Sequence, residues 1–288
     1  MNPQLVPWRP GAGCLPLAHF APAAAPLPLP PGPRGYLLQR LLGRGRQAGV
    51  YLALHLPTGQ RMALKLAPRD DGFAAEFAAL QCLAHPNVLR AMEHGSHAGA
   101  AFLAMEYAAQ GPLESLHARP LADVQGLMLQ AAAALAHLHG QGWVHRDIKP
   151  ANLLLRGDGS LALGDFGTAR RAGAIEAAPA GTLIGTPRYA APEQAPGAPA
   201  LPTADVYSLG VVLHELLAGR PPYPGDTLAE IRGQHMVAPL PRLPVALARW
   251  QPLLDAMLAK KPRERLADGQ AVREVLQQLA GPDCRNAP

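Results

Sequence analysis

The chain of 288 residues is long enough for one large domain or for two lobes around a cleft. Its net charge is +5, but no run of five basic residues occurs, which argues against a nucleic-acid interface. Three cysteines without C-x-x-C spacing indicate neither a zinc site nor a disulfide framework, so we expect a reducing, cytoplasmic setting. No apolar run reaches ~18 residues, and we predict no membrane span.

Residues 1–35 are dense in proline, which favours polyproline II or an irregular segment over a packed core. We predict a disordered leader here, with a docking ligand for another domain as the alternative. The composition changes at Tyr36, and we place a single domain over residues 36–281 and a short tail at 282–288.

Three strands are predicted at the start of this domain, at residues 36–38, 50–55 and 61–66. Gly43 and Gly45 lie between the first two strands and suit a hairpin whose backbone must approach another group closely. Backbone N–H groups in such a turn can bind phosphate oxygens, although glycine-rich hairpins are common. Lys65, in the third strand, is by itself a typical surface lysine.

Helices and a further strand follow. Apolar spacing predicts helices over 73–83 and 121–139, and a buried strand over 101–107. Glu76 lies at the edge of the first helix's apolar stripe and is either solvated or a partner of Lys65. Cys82, near the end of the same helix, is expected to be a small buried side chain.

The loop at residues 144–152 is the most informative stretch of the sequence. It places Asp147, Lys149 and Asn152 between apolar segments, and so combines a proton acceptor, a cation and an oxygen ligand. A hairpin is predicted at 157–159, and it would return the chain so that Asp165 approaches Asp147 and Asn152. Two carboxylates and an amide at one place suit Mg²⁺.

The last part of the chain divides into two. Residues 168–192 have few apolar residues in any period and many alanines, glycines and prolines, and we predict a mobile segment. From residue 204 onward, the pattern is helical with proline-rich connections.

Together, these motifs resemble the eukaryotic-like (Hanks-type) serine/threonine protein kinases of the bacterial kind, over about residues 36–281. The matching runs are Gly43-x-Gly45, Met62 to Lys65, the H-R-D-x-K-x-x-N loop, Asp165-Phe166-Gly167 and Ala191-Pro192-Glu193. The resemblance implies an α+β, two-lobed protein-kinase fold, here as a kinase domain only. A small antiparallel β-sheet N-lobe with one main helix would cover 36–106, and a mainly α-helical C-lobe 107–281.

The resemblance also implies an ATP site. Met105 corresponds to the residue at the back of the adenine pocket, and Glu106 to Ala108 to the hinge that offers backbone hydrogen bonds. Ala48 stands where the family has a third loop glycine. The residues implied in nucleotide binding are Leu42, Gly43, Gly45, Val50, Ala63, Lys65, Met105, Glu106 and Ala108.

In the family's chemistry, Asp147 would accept or orient the proton of the substrate hydroxyl, and Lys149 would contact the transferred phosphate. Lys65 would bind the α- and β-phosphates and pair with Glu76. Asn152 and Asp165 would hold Mg²⁺, with Mn²⁺ as an alternative ion. The implied catalytic residues are therefore Asp147, Lys149, Asn152, Lys65 and Glu76.

Residues after Asp165 resemble an activation segment. Thr182 corresponds to the activating phosphosite, Arg146 to the partner of its phosphate, and Thr186 to the threonine that orients the catalytic aspartate and lysine. Three further residues correspond to structural anchors: the ion pair of Glu193 and Arg265, and Asp205, which holds the catalytic loop.

The implied function is transfer of the γ-phosphoryl group of ATP to Ser/Thr hydroxyls of unidentified protein substrates, with autophosphorylation of the activation segment. The oligomeric state is left open. Two alternatives remain: a catalytically inactive kinase fold used as a scaffold, and a small-molecule phosphotransferase that shares the two lobes. His145, inside the loop motif, is expected to be a packing residue and not a base.

Overall fold

A computed structural model of the protein describes residues 29–45, 48–68, 72–115, 121–176 and 184–279. The first lobe contains the strands β1 (Tyr36–Arg44), β2 (Gly49–His55), β3 (Gln60–Ala67), β4 (Ala91–His97) and β5 (Ala100–Glu106). They form one five-stranded sheet in the order β1-β2-β3-β5-β4, and every neighbouring pair is antiparallel. Most of the predicted leader and the whole predicted tail lie outside the described residues.

Alternating side chains divide the sheet into two faces. On β1, Tyr36 and Leu38 are buried while Leu37 between them is exposed, as the two-residue period of a strand requires. Tyr36 and Leu38 join a small apolar cluster that includes Met62 and Phe102. This cluster covers one face, and the other face belongs to the main core.

Strand β4 has no counterpart in the sequence analysis. Only Ala91 among its seven residues is buried, and the others are mainly polar or small. The strand lies at the edge of the sheet and pairs with β5 alone, so its side chains need not be apolar. Its polar composition therefore hides it from a hydrophobic-pattern search.

Helix α1 (Phe73–Cys82) confirms the first predicted helix and packs against β4 and β5. Phe73 and Leu80 are buried, whereas Cys82 is exposed, so the predicted burial of this cysteine is wrong. Nine residues at about 100° each place Cys82 on the side of the helix opposite Phe73.

The second lobe is mainly helical, with α2 (Leu121–Gly140), α3 (Pro202–Ala218), α4 (Leu228–Val237), α5 (Gln251–Met257) and α6 (Gly269–Leu279). Every residue from Ala204 to His214 is buried, so α3 runs through the centre of this lobe. The helices after residue 204 agree with the predicted pattern. The two lobes together confirm the α+β, two-lobed class.

Helix α2 is long and apolar enough to cross a membrane by length and composition, and it is the one helix of the described residues that passes this test. Half of its most apolar window is buried inside the protein, where α2 packs on α3 and α6. A core helix has the same properties, so the match is weak evidence for a span.

Five short strands lie between β5 and α3 in the described part of the chain: β6 (Gly111–Pro112), β7 (Trp143–Val144), β8 (Leu153–Leu155), β9 (Leu161–Leu163) and β10 (Arg170–Arg171). Strands β8 and β9 form the predicted hairpin, with Leu153 opposite Leu163. Strand β10, which lies within the stretch predicted to be mobile, pairs with β7.

Candidate active site

The loop between β7 and β8 is held by a carboxylate from α3. Asp205 accepts hydrogen bonds from the backbone N–H of His145 at 2.7 Å and of Arg146 at 2.8 Å, and it lies 3.0 Å from His139 Nε2. Asp205 is fully buried. Arg146 has a φ of 67°, a conformation that costs a non-glycine residue about 1–2 kcal/mol. The buried carboxylate therefore fixes a strained backbone turn directly before Asp147.

Both oxygens of the Asp147 carboxylate are oriented by neighbours. Oδ1 accepts a hydrogen bond from Thr186 Oγ1 at 2.8 Å, and Oδ2 accepts one from Lys149 Nζ at 2.6 Å. Lys149 also donates to Thr186 Oγ1 at 2.9 Å, which closes the triangle. Asn152 donates its side-chain N–H to the Asp147 carbonyl at 2.8 Å. These four predicted residues are thus brought together at one place.

Lys65 joins the two lobes through its ammonium group. Nζ lies 2.9 Å from Glu76 Oε2, on α1, and 2.8 Å from Asp165 Oδ1, which follows β9. Of the two alternatives for Glu76, the structure shows the buried partner of Lys65, with the glutamate 3% exposed. Glu76 Oε1 also accepts the backbone N–H of Phe166 at 3.2 Å.

The three charges of this cluster change one another's ionisation. Burial alone would lower the pKa of Lys65, but Asp165 and Glu76 outweigh burial and raise it to about 12. Burial also opposes ionisation of Asp165, and the Lys65 ammonium more than offsets it, so the pKa of Asp165 is lowered. Burial raises the pKa of Glu76, and Lys65 offsets only part of that effect. Lys65 therefore remains a cation at physiological pH.

Packing beneath the cleft fixes the position of Asp165. The ring of the next residue, Phe166, meets the His145 ring edge to face at 4.8 Å, and both residues are buried. His145 Nε2 lies 3.0 Å from the Gly164 carbonyl. His145 thus has the packing position expected of it, and it links the catalytic loop to the residues on either side of Asp165.

Most of the residues predicted to bind the nucleotide lie on β1, β2, β3 and β5 of the sheet. Gly43 lies opposite Val50 in the β1–β2 pair, and the Gly45 N–H donates to the Ala48 carbonyl at 2.8 Å. Leu42 lies on the same strand as Gly43, and residues 46–47 lie outside the described residues. Two small or flexible side chains, Ala63 and Met105, face each other on β3 and β5 and are buried.

The connection between the lobes begins at Glu106. Its N–H donates to the Arg90 carbonyl, and its carboxylate binds the side chains of Arg90 and Arg156, which lowers its pKa despite partial burial. Ala108 is buried, yet its N–H has no protein acceptor among the described residues. A backbone N–H needs a hydrogen-bond acceptor, so this group suits a ligand that offers one.

The segment that carries Thr186 is held close to the catalytic loop. Gly185 has a φ of 81°, and a Cβ atom there would lie 2.6 Å from the Arg146 carbonyl, so the close approach requires glycine. Further on, Arg265 and Glu193 form a two-pronged ion pair at 2.6 and 2.9 Å. Thr182, the predicted phosphosite, lies outside the described residues.

The family model that describes the protein kinase domain matches residues 36–278 of this chain. The chain belongs to the protein kinase domain family. It is 33% identical over 252 residues to the serine/threonine-protein kinase PknA of Mycobacterium tuberculosis. The aligned residues cover 81% of this chain and 58% of PknA.

Other relatives have similar names. The serine/threonine-protein kinase Pkn1 of Myxococcus xanthus is 34% identical over 261 residues, covering 84% of this chain and 38% of the relative. PknL of M. tuberculosis is 31% identical over 270 residues, covering 87% of this chain and 68% of PknL. The chain thus spans little more than half of PknA and a smaller share of Pkn1.

In this kinase domain, Asp165 and Asn152 fit a hard divalent cation. The amide nitrogen of Asn152 donates to Asp147, which leaves its amide oxygen as a ligand. The second carboxylate oxygen of Asp165 receives no hydrogen bond from the described residues, and the side chain is 45% exposed. Mg²⁺ commonly binds one or two protein oxygens and completes its shell with phosphate and water, which suits such an open pair.

Three residues of the kinase domain were missed by the sequence analysis. His139 bonds to Asp205, and its Nδ1 accepts the N–H of Gly269 at 3.0 Å. The Gln194 side chain donates to the Arg146 carbonyl at 2.8 Å. Glu176 lies 2.6 Å from Arg146. None of the three belongs to a motif, and only Gln194 is next to one, so spacing alone carried no signal for them.

Proposed function

We propose that the protein is an ATP-dependent serine/threonine kinase that phosphorylates protein substrates. The observation that carries the proposal is the Asp147 carboxylate, held between Lys149 and Thr186. Asp165 and Lys65 face the same cleft and are paired with each other. The names of the relatives support the same activity. The substrate proteins, and the activity of any longer protein that contains this chain, belong to the proposal.

The residues divide the chemistry of the transfer between them. The substrate hydroxyl oxygen attacks the γ-phosphorus, the bond to the bridging oxygen breaks and ADP leaves. Asp147 orients the hydroxyl and takes its proton. Lys149 lies beside Asp147 and neutralises charge on the γ-phosphoryl oxygens, while Lys65 binds the α- and β-phosphates.

Other residues bind and orient ATP. Asn152 and Asp165 would hold Mg²⁺, which supplies positive charge to the phosphate oxygens when bound, and Mn²⁺ would be the alternative ion. The N–H of Ala108, which has no acceptor among the described residues, and the carbonyl of Glu106 would bind the adenine edge. The remaining wall of the nucleotide site would come from Leu42, Gly43, Gly45, Val50, Ala63 and Met105.

The proposal extends to location and modification. We propose that the kinase domain acts in the cytoplasm, on proteins and not on nucleic acids, and that it phosphorylates its own activation segment at Thr182. Thr186, which contacts both Asp147 and Lys149, would instead orient the catalytic pair. Glu193, Arg265 and Asp205 would hold the segment and the loop in place.

A direct test compares Asp147→Asn with the wild type in Mg-ATP and a generic protein substrate. Because an amide cannot accept the proton, we expect turnover to fall by ~10²-fold or more. Asp158→Asn is the matched control: Asp158 is an exposed aspartate on the β8–β9 turn whose carboxylate accepts hydrogen bonds from Ser160, and this variant should keep wild-type turnover.

Two outcomes would contradict the proposal. Near wild-type turnover in Asp147→Asn would remove the assigned role of Asp147. A wild-type protein that binds Mg-ATP but phosphorylates no substrate, including itself, would favour the inactive scaffold. Mass spectrometry of the reaction products shows whether the phosphate is on serine or threonine. It also shows whether the phosphate is on the substrate or on the activation segment of this chain.

A further inference from the structure

Arg146 is a buried cation that needs a counterion. The residue is 5% exposed, and its Nε donates to the Thr168 carbonyl at 2.8 Å. Its Nη2 donates to Glu176 Oε2 at 2.6 Å, and Glu176 is its single acidic partner among the described residues. An unpaired buried charge would be strongly destabilising, so this contact stabilises the loop that carries Asp147.

A second arginine binds the other oxygen of the same carboxylate. Arg170 Nη2 donates to Glu176 Oε1 at 2.9 Å, so the carboxylate bridges two guanidinium groups. The hydrogen bonds from Arg146 and then Arg170 lower the pKa of Glu176 below its ordinary value. Glu176 is therefore ionised at physiological pH, and it links the strand after Asp165 to the catalytic loop.

The backbone around Glu176 is held by main-chain hydrogen bonds to Gly197 and Ala200. Gly173 N–H donates to the Ala200 carbonyl at 2.8 Å, and Ala200 N–H donates back to Ala174 at 3.0 Å. Gly197 N–H lies 3.3 Å from the Glu176 carbonyl. These main-chain hydrogen bonds hold the backbone of the residue that carries the carboxylate, and none of them depends on a phosphate.

A phosphate on the activation segment would offer Arg146 the same chemistry: negative charge and several acceptor oxygens. Glu176 already supplies charge and two acceptor oxygens at that arginine. We propose that Glu176 is a positioning residue that replaces the segment phosphate, so that the unphosphorylated kinase holds Asp147 in its working position. This inference rests on the proposed kinase function and concerns how that function is controlled.

The test compares the wild type, Glu176→Gln, Glu176→Asp and Glu274→Gln after phosphatase treatment, with mass spectrometry to verify that no phosphate remains. Glu274 is an exposed glutamate on α6 that bonds to Gln270, so Glu274→Gln is the matched control. Steady-state kinetics with Mg-ATP and a peptide substrate give kcat and KM separately, and chemical unfolding checks that each variant is folded.

We expect the dephosphorylated wild type and Glu274→Gln to retain their kcat. Because Glu176 acts on Asp147 through Arg146, Glu176→Gln should lose about tenfold in kcat with little change in the KM for ATP. Glu176→Asp keeps the carboxylate and should recover part of the loss. Loss of wild-type activity on dephosphorylation, or a normal kcat in Glu176→Gln, would overturn the inference.

Hydrogen exchange separates this inference from the proposed function. In the Glu176→Gln variant, the amides of residues 168–176 should exchange faster than in Glu274→Gln, because the contact between residue 176 and Arg146 is weakened. This measurement needs no substrate. Unchanged exchange would overturn the role of Glu176 even in an active enzyme. A wild-type protein that transfers no phosphate would count against the kinase proposal, while the exchange result still decides whether Glu176 holds the segment.

Discussion

Two polar clusters flank the catalytic cleft, and they are built differently. The cluster around Asp205 lies within one lobe, is fully buried and bonds mainly to backbone N–H groups. The cluster around Lys65 joins side chains from β3, from α1 and from Asp165, which lies two residues after β9 and is 45% exposed. The Asp205 cluster holds the backbone of the catalytic loop, whereas the Lys65 cluster aligns charged side chains that lie on separate elements.

The difference has an energetic consequence. Removing a carboxylate that satisfies buried backbone groups leaves those groups without partners, which costs folding free energy. Removing one side chain from a partly open cluster leaves groups that water can reach, so the fold loses less. We therefore expect damage to the Asp205 cluster to appear in stability, and damage to the Lys65 cluster to appear in catalysis.

The largest effect is expected for Asp205→Ala. Two backbone N–H groups and the His139 ring lose their acceptor inside the protein, which should cost about 3–5 kcal/mol of unfolding free energy. Urea unfolding measures this directly. Asp158→Ala, on the exposed turn, should stay within about 0.5 kcal/mol of the wild type. A loss of less than about 1 kcal/mol in Asp205→Ala would remove the distinction between the clusters.

Local signals made part of this arrangement predictable. The β8–β9 hairpin follows from two apolar runs around Gly157-Asp158-Gly159, and the catalytic-loop residues lie within six positions of one another. The family resemblance also named Lys65 and Asp165 as site residues, but their direct contact across 100 residues was not predicted.

Other contacts have no local signal. Glu176 contacts Arg146 from 30 residues further along the chain, beyond three short strands, and nothing in the spacing marks a glutamate as the partner of a particular arginine. Strand β4 pairs through its backbone at a sheet edge, which polar side chains permit. The burial of Glu76 depends on how α1 packs against the residues after β9. The apolar pattern of α1 alone does not predict this packing.

Glu76→Gln examines the second cluster. Glutamine keeps the shape of glutamate but not its charge. Lys65 therefore loses one of its two anionic partners and is held less firmly in its position. We expect kcat/KM to fall by about 10–100-fold, equal to about 1.4–2.7 kcal/mol of transition-state stabilisation. Burial already opposes the charge of Glu76, so the unfolding free energy should change by less than about 1 kcal/mol.

The control for this variant is Glu264→Gln, an exposed glutamate that pairs with Lys261 at the surface. It should change neither kcat/KM nor stability. If Glu76→Gln unfolds at a much lower urea concentration than the control while its turnover is normal, the Lys65 cluster is a structural element like the one around Asp205.

The smallest effect concerns His235, a buried group inside the helical lobe. Its Nδ1 lies 2.8 Å from Tyr207 Oη, and its Nε2 lies 3.0 Å from the Arg188 carbonyl, near the segment that carries Thr186. Burial lowers the pKa of His235 from 6.5 to about 4. Between these values the unfolded chain binds a proton that the native chain does not, so stability falls as the pH falls.

The expected loss from His235 is ~1 kcal/mol between pH 6.5 and pH 5.5, measured as the difference between the wild type and His235→Gln in urea unfolding at each pH. Other buried histidines such as His214, whose pKa burial also lowers, contribute equally to both proteins and cancel in this difference. Equal slopes in the two proteins would show that His235 titrates as it does in the unfolded chain, and that burial within one lobe does not by itself couple a polar group to stability.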